Sequence, residues 1–255
     1  MSRKSIVVRV GLALFLLVIL GFSAYQLIYI NNQYTKEAKL HEKLMDYRPE
    51  SPTDTADAEP ADVNNQGILD LQALNPDVAG WVTISGTQMD YPFVWASDYD
   101  SYLYTDYEGD SSIAGSIFLD YRCDRDFTRF NTILFGHNMN NGSMFGDIDE
   151  FEDKEFYDSY QEGMIYLPHQ NLTLQLVSCL VVKDTDSQVY RADYNSDGEK
   201  QAFLDRIRQD CIHGAEAVPS DLKTTDQFVS LSTCSYQFSQ SRTVLIYRVI
   251  KKEGA

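Results

Sequence analysis

Near the C-terminal end, the stretch SLSTCSYQFSQSRTVLIYRVI (residues 230–250) sets a cysteine, Cys234, where one apolar run stops and an arginine, Arg242, where the next begins. Strand side chains alternate between faces, so Phe228, Ser230, Ser232 and Cys234 share one face, and Arg242, Val244, Ile246 and Arg248 share one on the next strand. If the loop at 235–241 folds the two runs into an antiparallel pair, Cys234 and Arg242 meet at a rim of the sheet. Directly opposed residues there have Cβ atoms about 4.5–5.5 Å apart. A nearby cation favours the thiolate, which is the nucleophilic form of cysteine. A guanidinium is also a permanent donor, able to stabilise the oxyanion that forms when a carbonyl is attacked. The small polar residues leading up to Cys234 leave room beside it for something extended.

Such a pair needs a proton carrier, and the chain has four histidines. His41 follows the N-terminal apolar run, His169 sits in the turn-like LPHQN, and His213 lies at a helix end, where its charge is favourable for structural reasons alone. His137 is different. NTILFGHNMNNG places it at the C-terminal end of a strand, on the face of Ile133 and Phe135, before a loop rich in Asn and Gly. That is a rim position for the side chain best suited to proton transfer near neutral pH. Taken singly, each residue also has an ordinary structural reading. A strand-end cysteine is commonly a small buried hydrophobe, His137 could be a satisfied structural histidine, and Arg242 a surface residue at a hairpin end.

The elements that must position these residues are short runs rich in Val, Ile, Leu, Phe and Tyr, separated by Gly, Asn, Asp and Pro: MDYPFVW, GSIFLDY, NTILFGH, GMIYLP, NLTLQLVSCLVVK, FVSLSTC and RTVLIYRVI. ILDLQALNPDVAGWVTI predicts a short helix ending near Asn75-Pro76, then a strand over 81–84. YLPHQNLTL reads as a tight hairpin, and MFGDIDEFEDKEFYDSY has short-helix character. SDGEKQAFLDRIRQDCIHG predicts a longer helix, capped by Ser196 or Asp197, with Phe203, Ile207 and Cys211 on one face and Gly214 ending it. The pattern predicts a mostly β domain over residues 68–255, a closed or nearly closed barrel of about eight strands with one or two helices.

Ahead of that domain, residues 10–30 carry no charge and are long enough to cross a bilayer core, which takes roughly 20 residues. Arg3, Lys4 and Arg9 precede them, so the N-terminus is expected in the cytoplasm and the remainder outside. A cleaved signal peptide would have a shorter apolar region, about 7–15 residues, and a small-x-small site that Phe22-Ser23-Ala24 fits poorly. Residues 1–30 are therefore read as a retained anchor. Residues 31–67 are read as a juxtamembrane helix followed by a flexible acidic spacer too poor in apolar residues to fold. The net charge of −17 repels phosphate backbones, so nucleic acid is not an expected partner. The four cysteines form neither a CxxC pair nor a zinc pattern. Cys179 reads as a buried, inert thiol and Cys211 as a helical one, with a single structural bridge left open.

LSTC with a downstream arginine, together with NTILFGHNM, resembles the sortases, the cysteine transpeptidases of Gram-positive cell surfaces. GHNM, GSIFLDYR, the Cys-to-Arg interval and the helix before the last two strands are most similar to class B. The family's Thr-Leu-x-Thr-Cys stands here as Ser230-Leu231-Ser232-Thr233-Cys234, with serine in the first place. The resemblance implies the sortase β-barrel, with Cys234 as nucleophile, His137 as acid/base and Arg242 on the oxyanion or the substrate. It implies that Ser232 and Leu103 line the peptide groove. The implied reaction cleaves a sorting motif of an exported protein after its threonine and forms a thioester. An amine of a peptidoglycan precursor, or a pilin lysine, then resolves that thioester. No metal or other cofactor is implied. An L,D-transpeptidase would carry Ser-x-Gly-Cys with a closer arginine, and a papain-like hydrolase would place its cysteine before its histidine. The non-enzyme reading is an anchored binding or adhesion module with an incidental thiol.

Overall fold

A computed structural model describes residues 3–50, 63–234 and 241–254. Most of the acidic spacer and the loop at 235–240 lie outside the described residues, as does the side chain of Cys234.

The chain divides into two units, residues 1–43 and 44–255. The first is filled by α1 (Arg3–Met45), a single uninterrupted helix of 43 residues. At 1.5 Å per residue it is about 65 Å long, roughly twice a bilayer's hydrocarbon core. Leu12, Phe15, Leu16, Val18 and Leu20 are exposed on every side of it. By length and composition this helix is able to cross a membrane.

The second unit is a closed barrel built from eight strands: β1 (Val78–Ile84), β2 (Asp90–Trp95), β3 (Ile117–Leu119), β4 (Asn131–His137), β5 (Glu162–Leu167), β6 (Gln170–Lys183), β7 (Phe228–Cys234) and β8 (Ser241–Gly254). Their order around the barrel is β1-β2-β3-β4-β7-β8-β6-β5. The expected YLPHQNLTL hairpin is present, with Leu167 paired to Gln170 across Pro168-His169. α2 (Gln66–Leu74) ends ahead of Pro76, as a residue with no N–H and a restricted predecessor requires. Val82, Phe93, Ile117, Ile133, Leu172, Leu231 and Leu245 are all completely buried.

Two pairings are parallel, β2 with β3 and β4 with β7. Each needs a long crossover, and these crossovers carry the rest of the structure. Between β4 and β7 come a 3-10 helix (Gly146–Glu152), α3 (Lys154–Ser159), the β5–β6 hairpin and α4 (Asp197–Gln209). The Oγ of Ser196 accepts the Glu199 N–H, while the Glu199 carboxylate accepts the Asn195 N–H, a reciprocal cap. That backbone bond holds the Glu199 carboxyl below the usual carboxylate range. Phe203, Leu204 and Ile207 are buried against Val177, Leu180, Val244 and Ile246, worth about 1.5–3 kcal/mol for each such side chain.

The helix is shorter than its sequence pattern predicts. It stops at Gln209 instead of reaching Gly214, because the Ile212 N–H bonds to the Cys179 carbonyl and draws the chain onto β6. Cys211 accordingly lies past the helix end and not on its face. Gly214, at φ +92°, opens a 3-10 turn (Ala215–Ala217).

Candidate active site

The β4–β7 ladder runs without a break from Asn131↔Phe228 to its last pair, His137↔Cys234. Two residues more than ninety positions apart are thereby level on adjacent strands, whose backbones lie about 4.8 Å apart. On the other side of β7, β8 pairs antiparallel from Phe228↔Arg248 to Ser232↔Val244. Two further steps in that register bring Arg242 level with Cys234. Arg242 Nη1 donates to the Thr233 carbonyl at 2.8 Å, and Nη2 lies 4.0 Å from the Asp184 carboxylate. The backbone thus brings His137, Cys234 and Arg242 to one end of three adjacent strands. Far down the same ladder, Ser230 Oγ donates to Asn131 Oδ1 at 2.8 Å, a buried cross-tie between β4 and β7.

His137 is 8% exposed, its Nε2 is 2.7 Å from the Leu103 carbonyl oxygen, and the Tyr104 ring packs 5.5 Å from its own. His213 is held differently. Its Nε2 is 2.8 Å from the Phe151 carbonyl and its ring packs on Tyr157, far along the chain from any strand end.

A groove of about 780 Å³ opens beside these residues, with Tyr99, Leu103, Phe118, Phe135, Tyr190 and Arg242 among its walls. Leu103 is among its lining residues. Ser232 is fully buried, and the hydroxyl of Tyr190, a groove residue, is 3.0 Å from Ser232 Oγ.

The sequence reading missed the network that holds the groove's two walls. Asp120 is completely buried at the end of β3. It receives Arg122 through Nε at 2.9 Å and Nη2 at 2.6 Å, and the Tyr99 hydroxyl at 3.2 Å. Arg122 Nη2 also donates to the Tyr190 carbonyl at 2.9 Å. The bonds to Asp120 push the Arg122 guanidinium further up, and burial pushes the Tyr99 phenol well above its usual value. Asp120 is buried while the Arg122 side chain is 37% exposed. Removing Arg122 therefore leaves a buried carboxylate uncompensated, and solvent screening brings the cost below the roughly 3–5 kcal/mol of a fully buried pair. The only trace in sequence is the Asp-x-Arg spacing in GSIFLDYR.

Cys123, Cys179 and Cys211 are all unbridged and buried. Burial pushes the Cys123 thiol up to about 12 and the Cys179 thiol higher still, so neither ionises near neutral pH. Titration of the native full chain in detergent with a chromogenic disulfide at pH 8 is therefore expected to detect one fast thiol, against four in denaturant. Two or more fast thiols in the native protein would contradict this.

No protein-family model matches the chain. It is similar to sortase B of Listeria monocytogenes, with 32% identity over 210 residues that cover 78% of this chain and 81% of the relative. It is similar also to sortase B of Staphylococcus aureus, with 29% identity over 185 residues, 71% of this chain and 73% of the relative. Among solved structures, sortase B of Bacillus anthracis in complex with AAEK1 aligns at a TM-score of 0.74 and 29% identity, covering 86% of this chain and 98% of that one. The Staphylococcus aureus sortase B–substrate complex aligns at 0.68 and 27%, covering 73% and 85%. Sequence identity over most of both chains coincides with the same closed barrel, and the chain belongs to the sortase B family of cysteine transpeptidases.

Proposed function

We propose that this enzyme cleaves a C-terminal sorting motif of exported proteins after its threonine and transfers the threonyl group to an amine, with Cys234 as nucleophile. The observation that carries the reading is the register pairing His137 with Cys234, with Arg242 beside them. The Cys234 thiolate attacks the threonyl carbonyl, Arg242 stabilises the oxyanion, and protonated His137 gives its proton to the departing amine as the peptide bond breaks. A thioester results. The acceptor amine then attacks the thioester carbonyl, His137 takes up the amine's proton, and the thiolate leaves. Splitting one acyl transfer in two lowers each barrier, and the thioester keeps the acyl group activated for an amine. Leu103 contacts the peptide directly, and Ser232 supports it through Tyr190.

Residues 1–30 anchor the enzyme with the N-terminus inside, 31–67 are a stalk and spacer, and 68–255 are the catalytic barrel on the outer surface. Substrates on the same membrane then meet the enzyme at raised effective concentration. The acceptor is a peptidoglycan-precursor amine or a pilin lysine.

The test incubates the full chain in detergent with a panel of quenched sorting peptides, with and without an added amine, and takes intact-protein mass spectra. One motif should add the mass of its acyl half to the protein, release it to hydroxylamine, and give an amide product when amine is present. Cleavage without a covalent adduct, or an adduct outside the peptide containing Cys234, overturns the reading.

A further inference from the structure

The excursion between β2 and β3 holds His137 through a backbone atom, and one glycine determines where that atom sits. Three consecutive carbonyls, of Tyr102, Leu103 and Tyr104, are each engaged. Tyr102 O accepts the Ser116 N–H and Tyr104 O accepts the Ser112 N–H, both at 3.0 Å. Ser116 Oγ adds a bond to the Thr105 carbonyl at 2.9 Å. The carbonyl between them, Leu103 O, lies 2.7 Å from His137 Nε2. Gly115 closes on the same atom. Its φ is +59°, and a Cβ there would sit 2.3 Å from Leu103 O and 2.7 Å from Tyr102 O. Any side chain at 115 must therefore displace the carbonyl that contacts the histidine.

We propose that Gly115 and the Leu103 carbonyl form a clamp that positions His137, holding it as the Nε2–H tautomer and leaving Nδ1 as the ring's proton-exchanging nitrogen. A carbonyl can only accept, so the ring nitrogen facing it must carry hydrogen, whether the ring is neutral or charged. The inference rests on the acid/base role given to His137 above. Gly115 and Leu103 O are positioning groups, acting through His137. Displacing a catalytic group by about 1 Å costs on the order of 10²-fold; Leu103 also lines the groove, so a smaller change in KM can accompany the loss in kcat.

The test compares Gly115→Ala with Gly109→Ala in the full chain. Gly109 lies on the same excursion at φ +86° with nothing near its would-be Cβ, so it carries the backbone penalty without the collision. Gly115→Ala is expected to lower kcat about 10- to 100-fold with a smaller change in KM, and Gly109→Ala to stay within twofold on both. A Gly115→Ala protein with unchanged melting and wild-type kcat, or one altered only in KM, overturns the clamp. Should Gly115→Ala fail to fold, ring 15N shifts of wild-type His137 at alkaline pH, assigned with His137→Gln, decide instead. The Nε2–H tautomer supports the clamp and the Nδ1–H tautomer overturns it. Full transpeptidation by His137→Gln would instead remove the acid/base role, and the clamp's catalytic purpose with it, while the ring shifts still report the tautomer.

Discussion

The full chain carrying Cys234→Ala is expected to bind its sorting peptide with an affinity near wild type while forming no acyl-enzyme and no amide product. The groove walls explain the first half. Tyr99, Leu103, Phe118, Phe135 and Tyr190 line it, and the Asp120–Arg122 pair locks its two sides, so a one-residue truncation at a strand end leaves the binding surface standing. The second half follows from covalent catalysis. Without the thiolate there is no atom to carry the acyl group, and the loss in kcat/KM is expected on the order of 10⁴–10⁶-fold. Because nucleophile and acid/base act as a unit, adding His137→Gln to Cys234→Ala should cost little more than Cys234→Ala alone. Peptide binding by fluorescence anisotropy and turnover by product analysis measure the two halves separately. Residual turnover in Cys234→Ala above about one thousandth of wild type would mean that another group attacks the peptide. A double variant much worse than the single one would mean that His137 works independently of Cys234.

How much of this was legible in the sequence depends on which atoms carry the information. The strands were readable because alternation and β-branched content are local properties: FVSLSTC became β7 and NTILFGH became β4 at the expected places. Arg242 could be set beside Cys234 because a short loop between two such strands leaves antiparallel pairing as the simple outcome. The pairing of His137 with Cys234 was not readable. It is parallel and formed across the whole β5–β6–α4 crossover, and no periodicity says which distant strand is a neighbour. The sequence pattern could place His137 only at a rim. The end of α4 was misjudged because a backbone bond from Ile212 to Cys179, invisible in side-chain pattern, competes with the next helical turn. The clamp has the same character. Its holding atom is a main-chain carbonyl, and its one signature, Gly115, looks like any loop glycine until the approach of Leu103 O is measured. The Asp120–Arg122 network lay within a quoted motif, yet its purpose depends on Tyr190, which is distant in sequence.

Arg242→Lys tests whether the cation or its geometry matters, and a loss of about 10²–10³ in kcat is expected, the range seen when one oxyanion donor is removed. Arg242 sits on β8 opposite Val182, and its guanidinium already spends Nη1 on the Thr233 carbonyl while Nη2 faces Asp184. That division is possible because a planar fork offers five donors in fixed directions. An ammonium is a single, strongly hydrated point: it can stay at Thr233 O or turn toward Asp184, and in neither position does it keep an aimed donor for a developing oxyanion. The positive charge survives, however, so any help it gives to the thiolate should largely persist. Alkylation of Cys234 by iodoacetamide, which needs a thiolate but no oxyanion donor, is therefore expected to slow less than threefold in Arg242→Lys, while acylation by the sorting peptide slows by the full factor. If both rates fell together, Arg242 would act through the ionisation of Cys234. If neither fell, the guanidinium would serve only to tie β8 to β7. A selective loss of acylation would assign the fork to the carbonyl under attack and the register of β7 and β8 to the task of aiming it.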